Sequence, residues 1–260
     1  MKTEELKVTY LGGPTIIIEI EGLRFMTDPT LDEGGNTYQM TPEIVLEKTD
    51  SPTTQGIPTI DYVLLSHEHH QDNIDTKGRA LLNDVKKVFT SEQAAAVING
   101  HSVGIPIWES ETIITPNHTE ITITATPARH GPAGTEKMIG PVIGFVVSVK
   151  KENKTYELYI TGDTVFYEGV QEVAKRFNPS YVFAFAGSVK AMGLFYITMN
   201  ESDLINCADA FPNATIVPIH YEGWTHYSGT IHPAVQAFEV LGIQDRLHIL
   251  DSDQINTLPL

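Results

Sequence analysis

A histidine-rich loop directly after an apolar segment constrains the fold of this chain more than any other feature. His67, His69 and His70 are three of the ten histidines and lie within four positions. The preceding residues 61–65 (DYVLL) are mostly apolar and are typical of a buried strand. A strand that ends in a polar loop places that loop at a sheet edge, where open α/β folds bind their ligands. The pattern therefore predicts an α/β protein with its functional site at this edge.

The residue types in this loop indicate a metal site. One residue separates His67 from His69, so in an extended segment both side chains point the same way. Asp72 follows His70 after one residue. Two neutral imidazoles and a carboxylate are ligands that bind divalent transition metals. A solvated polar loop is the alternative, and it explains three histidines in four positions less well.

The loop resembles the His-x-His-x-Asp-His signature of the metallo-β-lactamase superfamily, with two differences. Two residues separate His69 from Asp72 where the signature has one, and Asn73 stands in place of the last histidine. Both differences concern the second metal position, so the number of ions, one or two, stays open. The resemblance implies an α/β fold of the four-layer αββα sandwich type, formed by a single hydrolase domain over residues 1–260.

The end of an earlier predicted strand carries a second resemblance. The strand at 23–27 is followed by Asp28 and Pro29. This resembles the branch of the superfamily that contains L-ascorbate-6-phosphate lactonase and N-acylphosphatidylethanolamine phospholipase D-like proteins, and it implies that Asp28 lies next to the metal site. An ordinary turn residue before proline is the alternative for Asp28.

The resemblance also assigns residues that follow three later predicted strands to the site. It implies that His67, His69 and His130 hold one ion. Asp72, Asp163 and His220 would hold a second ion, or Asp163 and His220 would complete a single site. His70 is the candidate substitute for the histidine missing at Asn73, because an amide is a weaker ligand than imidazole. The ligand candidates are His67, His69, His70, Asp72, His130, Asp163 and His220.

The same resemblance implies a hydrolytic mechanism. A metal-bound water would lose a proton near neutral pH and act as the nucleophile. Asp72 would orient or deprotonate this water, and His226 or Tyr221 would protonate the leaving group. For His226, a substrate contact or a surface position are alternatives. The donors are nitrogen and oxygen only, which leaves zinc, manganese and iron open, with zinc or manganese favoured.

Three functional interpretations follow. The first is a hydrolase acting on a lactone, ester or phosphodiester in a small metabolite. The second is oxygen or nitric oxide reduction at a di-iron centre, but that chemistry usually needs a flavin-binding partner domain, for which this chain has no room. The third is a metal-binding or sensing module whose second metal site is degenerate and not catalytic.

Composition narrows the partners and the location. The chain has 17 basic and 33 acidic residues, for a net charge of −16, which repels phosphate backbones and predicts no nucleic-acid partner. The single cysteine, Cys207, excludes an internal disulfide and favours a reducing compartment. No apolar signal core or membrane-length run is present. We expect a cytoplasmic protein that binds a small-molecule substrate and no membrane, and a homo-oligomer remains open.

Residues 30–58 form the longest segment without a periodic pattern. They are rich in Thr, Pro, Gly and Asp. A connection of this length within a compact domain is usually functional or disordered. Because it lies between two strands that end at the predicted site, it is a candidate substrate-covering loop.

Overall fold

Two mixed sheets and six α-helices make up the computed structural model, which describes residues 5–42, 44–53, 56–98, 100–151 and 154–260. The strands are β1 (Glu5–Tyr10), β2 (Ile16–Ile20), β3 (Leu23–Thr27), β4 (Thr37–Gln39), β5 (Val45–Glu47), β6 (Tyr62–Leu64), β7 (Lys87–Thr90), β8 (Ser102–Gly104), β9 (Ser110–Ile114), β10 (Glu120–Pro127), β11 (Ile143–Lys151), β12 (Lys154–Ile160), β13 (Tyr181–Phe185), β14 (Lys190–Ala191), β15 (Phe195–Tyr196), β16 (Thr215–Ile219) and β17 (Ile255–Pro259). The helices are α1 (Thr76–Leu81), α2 (Glu92–Val97), α3 (Glu136–Ile139), α4 (Glu168–Arg176), α5 (Glu201–Ala210) and α6 (His232–Val240), and a 3₁₀ turn spans Gln244–Arg246.

The second sheet is formed by strands between β9 and β16, and the first sheet combines strands from β1 to β8 with the last strand, β17. The first has the strand order β17-β1-β2-β3-β6-β7-β8, and the second has the order β16-β13-β12-β11-β10-β9. Hairpin-connected strands pair antiparallel, whereas β3, β6, β7 and β8 pair parallel, as do β12, β13 and β16. The parallel half of each sheet therefore directs several carboxyl ends to one edge, and the histidine-rich loop leaves the first sheet there.

Side-chain alternation along the strands produces the layers. Ile16, Ile18 and Ile20 point into the core between the two sheets, whereas Ile17 points to the opposite face, where it packs near α1. In the second sheet, Val146 points away from the central core towards α4, α5 and α6. Because successive strand residues face opposite sides, each sheet buries both faces. The predicted four-layer αββα sandwich is confirmed.

Side-chain caps define the starts of three helices. Ser91 caps α2, and its hydroxyl oxygen accepts the backbone N–H of Ala94 at 3.1 Å. Asn200 caps α5, and Asp75 caps α1. Each side-chain oxygen satisfies an N–H group that has no partner within its helix. Within the described residues, the helices are all too short or too polar to cross a membrane.

The segment at 30–58, predicted as an irregular loop, contains a docked hairpin. Strands β4 and β5 pair antiparallel, and the chain after β5 pairs with residues 223–225. The Thr49 N–H donates to the Gly223 carbonyl at 2.9 Å, and the Thr225 N–H donates to the Glu47 carbonyl at 3.0 Å. Residues 43, 54 and 55 of the predicted loop lie outside the described part. The hairpin escaped prediction because its strands have three residues each, too few to establish an alternation.

Candidate metal centre

Ligand atoms from four loops converge at the edge where the parallel strands end. Two groups form, and within each the ligand atoms lie within 4.8 Å of one another. The first group contains His67, His70, His130 and Asp163. The second group contains Asp72, Asp163 and His220. Asp163 follows β12 and belongs to both groups, so its two carboxylate oxygens can serve two adjacent positions. All of these side chains are buried.

A chain of hydrogen bonds orients His67. The Ser66 hydroxyl donates to Oδ1 of Asp28 at 2.7 Å, and the Ser66 N–H donates to the same oxygen at 2.9 Å. The hydroxyl oxygen also lies 2.8 Å from Nδ1 of His67. Because the hydroxyl hydrogen is already donated to Asp28, this oxygen accepts a hydrogen bond from Nδ1. Nδ1 therefore carries the proton, and Nε2 faces the centre. A ligating histidine usually has its other nitrogen fixed in this way. Burial raises the pKa of Asp28 to about 8.

His130 is fixed by the backbone of a different loop. Its Nδ1 donates to the Ile197 carbonyl, and its Nε2 lies 3.6 Å from Oδ2 of Asp163. Burial lowers the pKa of His130 to about 4 and that of His70 to about 3. Burial likewise lowers the pKa of His67 well below its ordinary value. The three imidazoles are therefore neutral at physiological pH, the form that binds metals.

His69 lies outside both groups, which differs from the assignment made from the sequence. Its Nε2 bonds with the Ile139 carbonyl at 2.7 Å, and His70 takes its place in the first group. The loop is not extended, because a turn starts at His70, whose carbonyl accepts the Asn73 and Ile74 N–H groups. The alternation of an extended segment therefore does not apply.

The position of His70 changes how the loop matches the signature. One residue separates His70 from Asp72, which is the spacing of the second histidine and the aspartate. The additional residue lies between His67 and His70 instead of before Asp72. The replacement of the last histidine by Asn73 remains. Asn73 is fully buried, and its amide lies beside the carboxyl groups of Asp28 and Asp163, where hydrogen bonding from Asn73 acts to lower the pKa of both.

His220 takes its position through a strained backbone. It follows β16 with φ of 64°, a conformation that non-glycine residues adopt mostly at special sites. Its N–H donates to the Gly13 carbonyl at 2.7 Å, and its ring stacks on Phe185 with centroids 5.0 Å apart. Its Nε2 then lies 3.4 Å from Oδ1 of Asp163. Burial lowers its pKa to about 3.

Asp72 is the centre of a hydrogen-bond network that reaches the surface. His226 Nε2 lies 2.9 Å from Oδ2 of Asp72, and the Tyr227 hydroxyl lies 3.1 Å from the same oxygen. The hydroxyl is also 2.8 Å from Nε2 of His220. The side chain of His226 is 22% exposed, so it connects Asp72 with the opening of the site. Tyr221, the alternative proton donor, instead packs against Tyr10.

Tyr227 was missed in the sequence because nothing in its surroundings marks it. It is one of ten tyrosines, and its only signal is that it follows His226. Burial, and then the charge of Asp72, raise the pKa of Tyr227 well above its usual value. It therefore keeps its proton and acts as a donor.

The buried charges at the centre favour a cation. Burial, and then Asp72 and Asp28, raise the pKa of Asp163 well above its ordinary value. Burial acts in the same direction on Asp72, but His226, His220 and His70 outweigh it and hold the pKa of Asp72 well below its usual range. Among the described residues, the carboxylates of Asp72 and Asp163 lie within 4.0 Å of histidine nitrogens, and neither forms an ion pair with a lysine or arginine. Oδ1 of Asp163 also has no hydrogen-bond partner there. Converging nitrogen and oxygen donors of this kind fit a divalent transition metal.

The chain belongs to the beta-lactamase superfamily domain family, whose model matches residues 24–221. The UPF0173 metal-dependent hydrolase of Carboxydothermus hydrogenoformans is 27% identical over 223 residues, which are 84% of this chain and 86% of that protein. The UPF0173 protein YddR of Bacillus subtilis is 24% identical over 234 residues, 86% of this chain and 88% of that protein.

Solved structures agree on the fold. An isothiocyanate hydrolase from Delia radicum gut bacteria superposes with a TM-score of 0.80 at 22% identity, covering 98% of this chain and 100% of that one. A possible metal-dependent hydrolase from Veillonella parvula gives a TM-score of 0.76 at 17% identity, over 98% and 100% of the two chains. The predicted family and fold are therefore confirmed, as is the class of enzyme, a metal-dependent hydrolase.

The geometry predicts different effects for two neighbouring histidines. His70→Ala removes a donor of the first group, so we expect purified protein to lose most of its metal. His69→Ala is the matched control and should retain metal at the level of the parent, because His69 bonds to a carbonyl. Elemental analysis after desalting measures both. Equal metal loss in the two variants, or loss in His69→Ala alone, would contradict this ligand set.

The second position should respond to restoration of the signature. Imidazole is a stronger ligand for zinc than an amide, so Asn73→His should increase the amount of a second ion that survives desalting. Titration with zinc followed by elemental analysis compares the variant with the parent. Asn83→His, on the surface beside α1, is the control for a histidine added elsewhere. A second ion retained equally by all three proteins would show that Asn73 does not limit this position.

Proposed function

We propose that this chain hydrolyses a small, uncharged electrophile such as a lactone or an ester at a metal centre formed by the two ligand groups. The observation that carries the proposal is the Asp72–His226 pair, with 2.9 Å between Oδ2 and Nε2, directly beside those groups. A divalent ion bound there would polarise the substrate and lower the pKa of water. The His-rich first group favours zinc, whereas the oxygen-rich second group also suits manganese.

Asp72 has the properties of a proton acceptor for the hydrolytic step. Its pKa lies well below the usual range, so the carboxylate is ionised and can orient a water molecule. His226 and Tyr227 both contact Oδ2 and fix the direction of the carboxylate. We infer that a proton taken up by Asp72 passes to His226. Because His226 is partly exposed at the opening, it can deliver that proton to a leaving group.

The cations around the centre support an uncharged substrate. Arg129 precedes His130, but its guanidinium stacks on Tyr167 at 4.2 Å and pairs with Glu168 at 3.4 Å. Arg79 donates to the Glu68 carbonyl. Both guanidinium groups therefore already have partners, and within the described ranges no lysine or arginine pairs with the ligand carboxylates. Phosphate sites in proteins usually present such a cation. Of the substrate classes considered from the sequence, lactones and esters therefore fit better than phosphodiesters.

A metal-sensing module is the second candidate. The observation that favours it is Asn73, whose amide replaces a ligand of the superfamily signature and is buried beside Asp28 and Asp163. A weakened second position is compatible with binding without turnover. The two candidates differ in one measurable property, since only the hydrolase consumes a substrate.

A cytoplasmic location is part of the proposal. It is supported by the single cysteine of the chain, which is buried and unpaired. Burial raises the pKa of Cys207 well above its ordinary value, so this thiol is unreactive. A buried, unreactive thiol is compatible with a reducing compartment such as the cytoplasm.

Replacement of Asp72 tests the function. Asp72→Asn keeps the shape of the side chain but cannot accept a proton, so we expect turnover to fall by about 10²–10⁴-fold while the first metal group remains filled. Asp61→Asn, at a carboxylate that pairs with Lys86 away from the centre, is the control and should keep the activity of the parent. An Asp72→Asn protein that retains metal and hydrolyses at the rate of the parent would remove Asp72 from the mechanism.

A substrate panel tests the preference for uncharged molecules. It contains lactones, carboxylic esters and a phosphodiester. It also contains an aryl isothiocyanate, because the isothiocyanate hydrolase has a similar fold. We expect kcat/KM for the best neutral compound to exceed that for the phosphodiester by at least about tenfold, equivalent to about 1.4 kcal/mol. Faster hydrolysis of the phosphodiester would contradict the argument from the cations. No turnover of any compound by metal-loaded protein would favour the sensing module.

A further inference from the structure

A fully buried lysine lies behind the centre and has no part in the chemistry proposed above. Lys48 follows β5, and its side chain has no exposed surface. Its ammonium group is 3.2 Å from the Thr30 carbonyl oxygen, 3.4 Å from Oδ1 of Asp50 and 5.1 Å from the centroid of the Trp224 ring. Lysine is almost never fully buried unless it is paired. We therefore look for a role of the ammonium group that an apolar side chain at this position could not perform.

On one side, Lys48 contacts the turn that supports His67. The hydroxyls of Thr30 and Thr15 lie 3.1 Å apart, and the Thr15 hydroxyl donates to the Asp28 carbonyl at 2.8 Å. Asp28 in turn accepts both hydrogen bonds from Ser66, the residue that orients His67. The ammonium group is therefore connected to the wall of the centre that belongs to the first sheet.

On the other side, Lys48 contacts the loop at 220–227, which carries His220, His226 and Tyr227. Its backbone forms an antiparallel bridge with Trp224, and its ammonium lies over the Trp224 ring. That ring meets the His226 ring edge-on, with centroids 6.1 Å apart. A displacement of Trp224 would therefore change the position of His226 relative to Asp72.

The counterion of Lys48 is fitted to the same loop. A Cβ atom at Gly223 would lie 2.7 Å from Oδ2 and 2.8 Å from Oδ1 of Asp50, so the carboxylate packs directly on this glycine. Gly223 also has φ of 89°, which favours glycine. The Lys48–Asp50 pair thus contacts the loop at two adjacent residues, Gly223 and Trp224.

We propose that Lys48 is a positioning residue that holds the loop at 220–227, through Trp224, so that His226 remains on Asp72. The cation–π contact with Trp224 and the hydrogen bond to Thr30 join the two walls of the centre, because each wall comes from a different half of the chain. This inference rests on the proposed function, since His226 is the residue that it positions. A misplacement of about 1 Å at a catalytic group costs on the order of 10²-fold in rate.

The test uses Lys48→Met, which retains the apolar stem and removes the ammonium group. The chain has two tryptophans, so a Trp108→Phe background makes Trp224 the only tryptophan that fluoresces. Lys86→Met is the matched control, because Lys86 is largely exposed, pairs with Asp61 at 2.7 Å and lies 5.8 Å from the Tyr62 ring. Both Asp61 and Lys86 precede their strands, β6 and β7, whereas the ligand loop follows β6. Metal content, Trp224 emission, kcat and KM are measured on all three proteins.

We expect Lys48→Met to retain its metal and its KM while Trp224 emission shifts and kcat falls by about 10- to 100-fold. Lys86→Met should match the parent in every readout. Parent values of both kcat and Trp224 emission in Lys48→Met would overturn the proposal. A parallel loss of metal, KM and kcat would also overturn it, because that pattern indicates a general structural role.

Two further outcomes separate this inference from the proposed function. If no substrate is turned over by the parent, Trp224 emission decides: a shift with metal retained supports the positioning of the loop, and an unchanged spectrum rejects it. If Lys48→Met does not fold, Trp224→Phe replaces it, since this change keeps an aromatic ring but weakens the cation–π contact. A lower kcat with metal and KM retained supports the proposal, and an unchanged kcat rejects it.

Discussion

The concentration of buried charge at one sheet edge is the constraint on which the rest of the structure depends. Asp28, Asp72 and Asp163 are buried close to four histidines whose pKa values burial keeps low. Neutral imidazoles do not compensate carboxylates, and an uncompensated buried charge costs several kcal/mol. A bound cation compensates the charge of the buried carboxylates. Because the complete set of ligands exists only in the folded protein, the affinity for the cation adds to the stability of the fold.

The sandwich makes this arrangement possible because the core and the centre use different parts of each strand. Phe145, Leu158 and Phe183 fill the space between the sheets, whereas the ligands lie in the loops that follow. A ligand can therefore change without loss of core packing, and the core can stabilise a centre that by itself is unfavourable. His220 illustrates the division, since its strained backbone is held by a hydrogen bond to Gly13 and by stacking on Phe185.

Much of this architecture could be predicted from the sequence, because apolar runs locate strands and polar residues after them locate the edge. The α/β class and the site at residues 67–72 followed from that pattern, whereas the family, the four-layer fold and the assignment of residues 130, 163 and 220 to the site followed from the resemblance to the superfamily. The exchange of His69 for His70 did not, because it depends on a turn in which the His70 carbonyl accepts two backbone N–H groups. The roles of Tyr227 and Lys48 could not be predicted either, because hydrogen bonds and packing contacts between residues far apart in the sequence leave no local periodicity.

The residues that would move protons come from both halves of the chain, and this makes the centre a property of the assembled sandwich. Asp72 follows the first sheet, whereas His226 and Tyr227 belong to the loop after β16 in the second. Neither half contains a complete acceptor and donor pair. In the proposed mechanism, contacts between the halves, such as those that the hairpin makes with residues 223–225, therefore affect turnover as well as stability. A substitution at such a contact can reduce turnover while every ligand remains in place, because the geometry of proton transfer tolerates less displacement than the binding of an ion does.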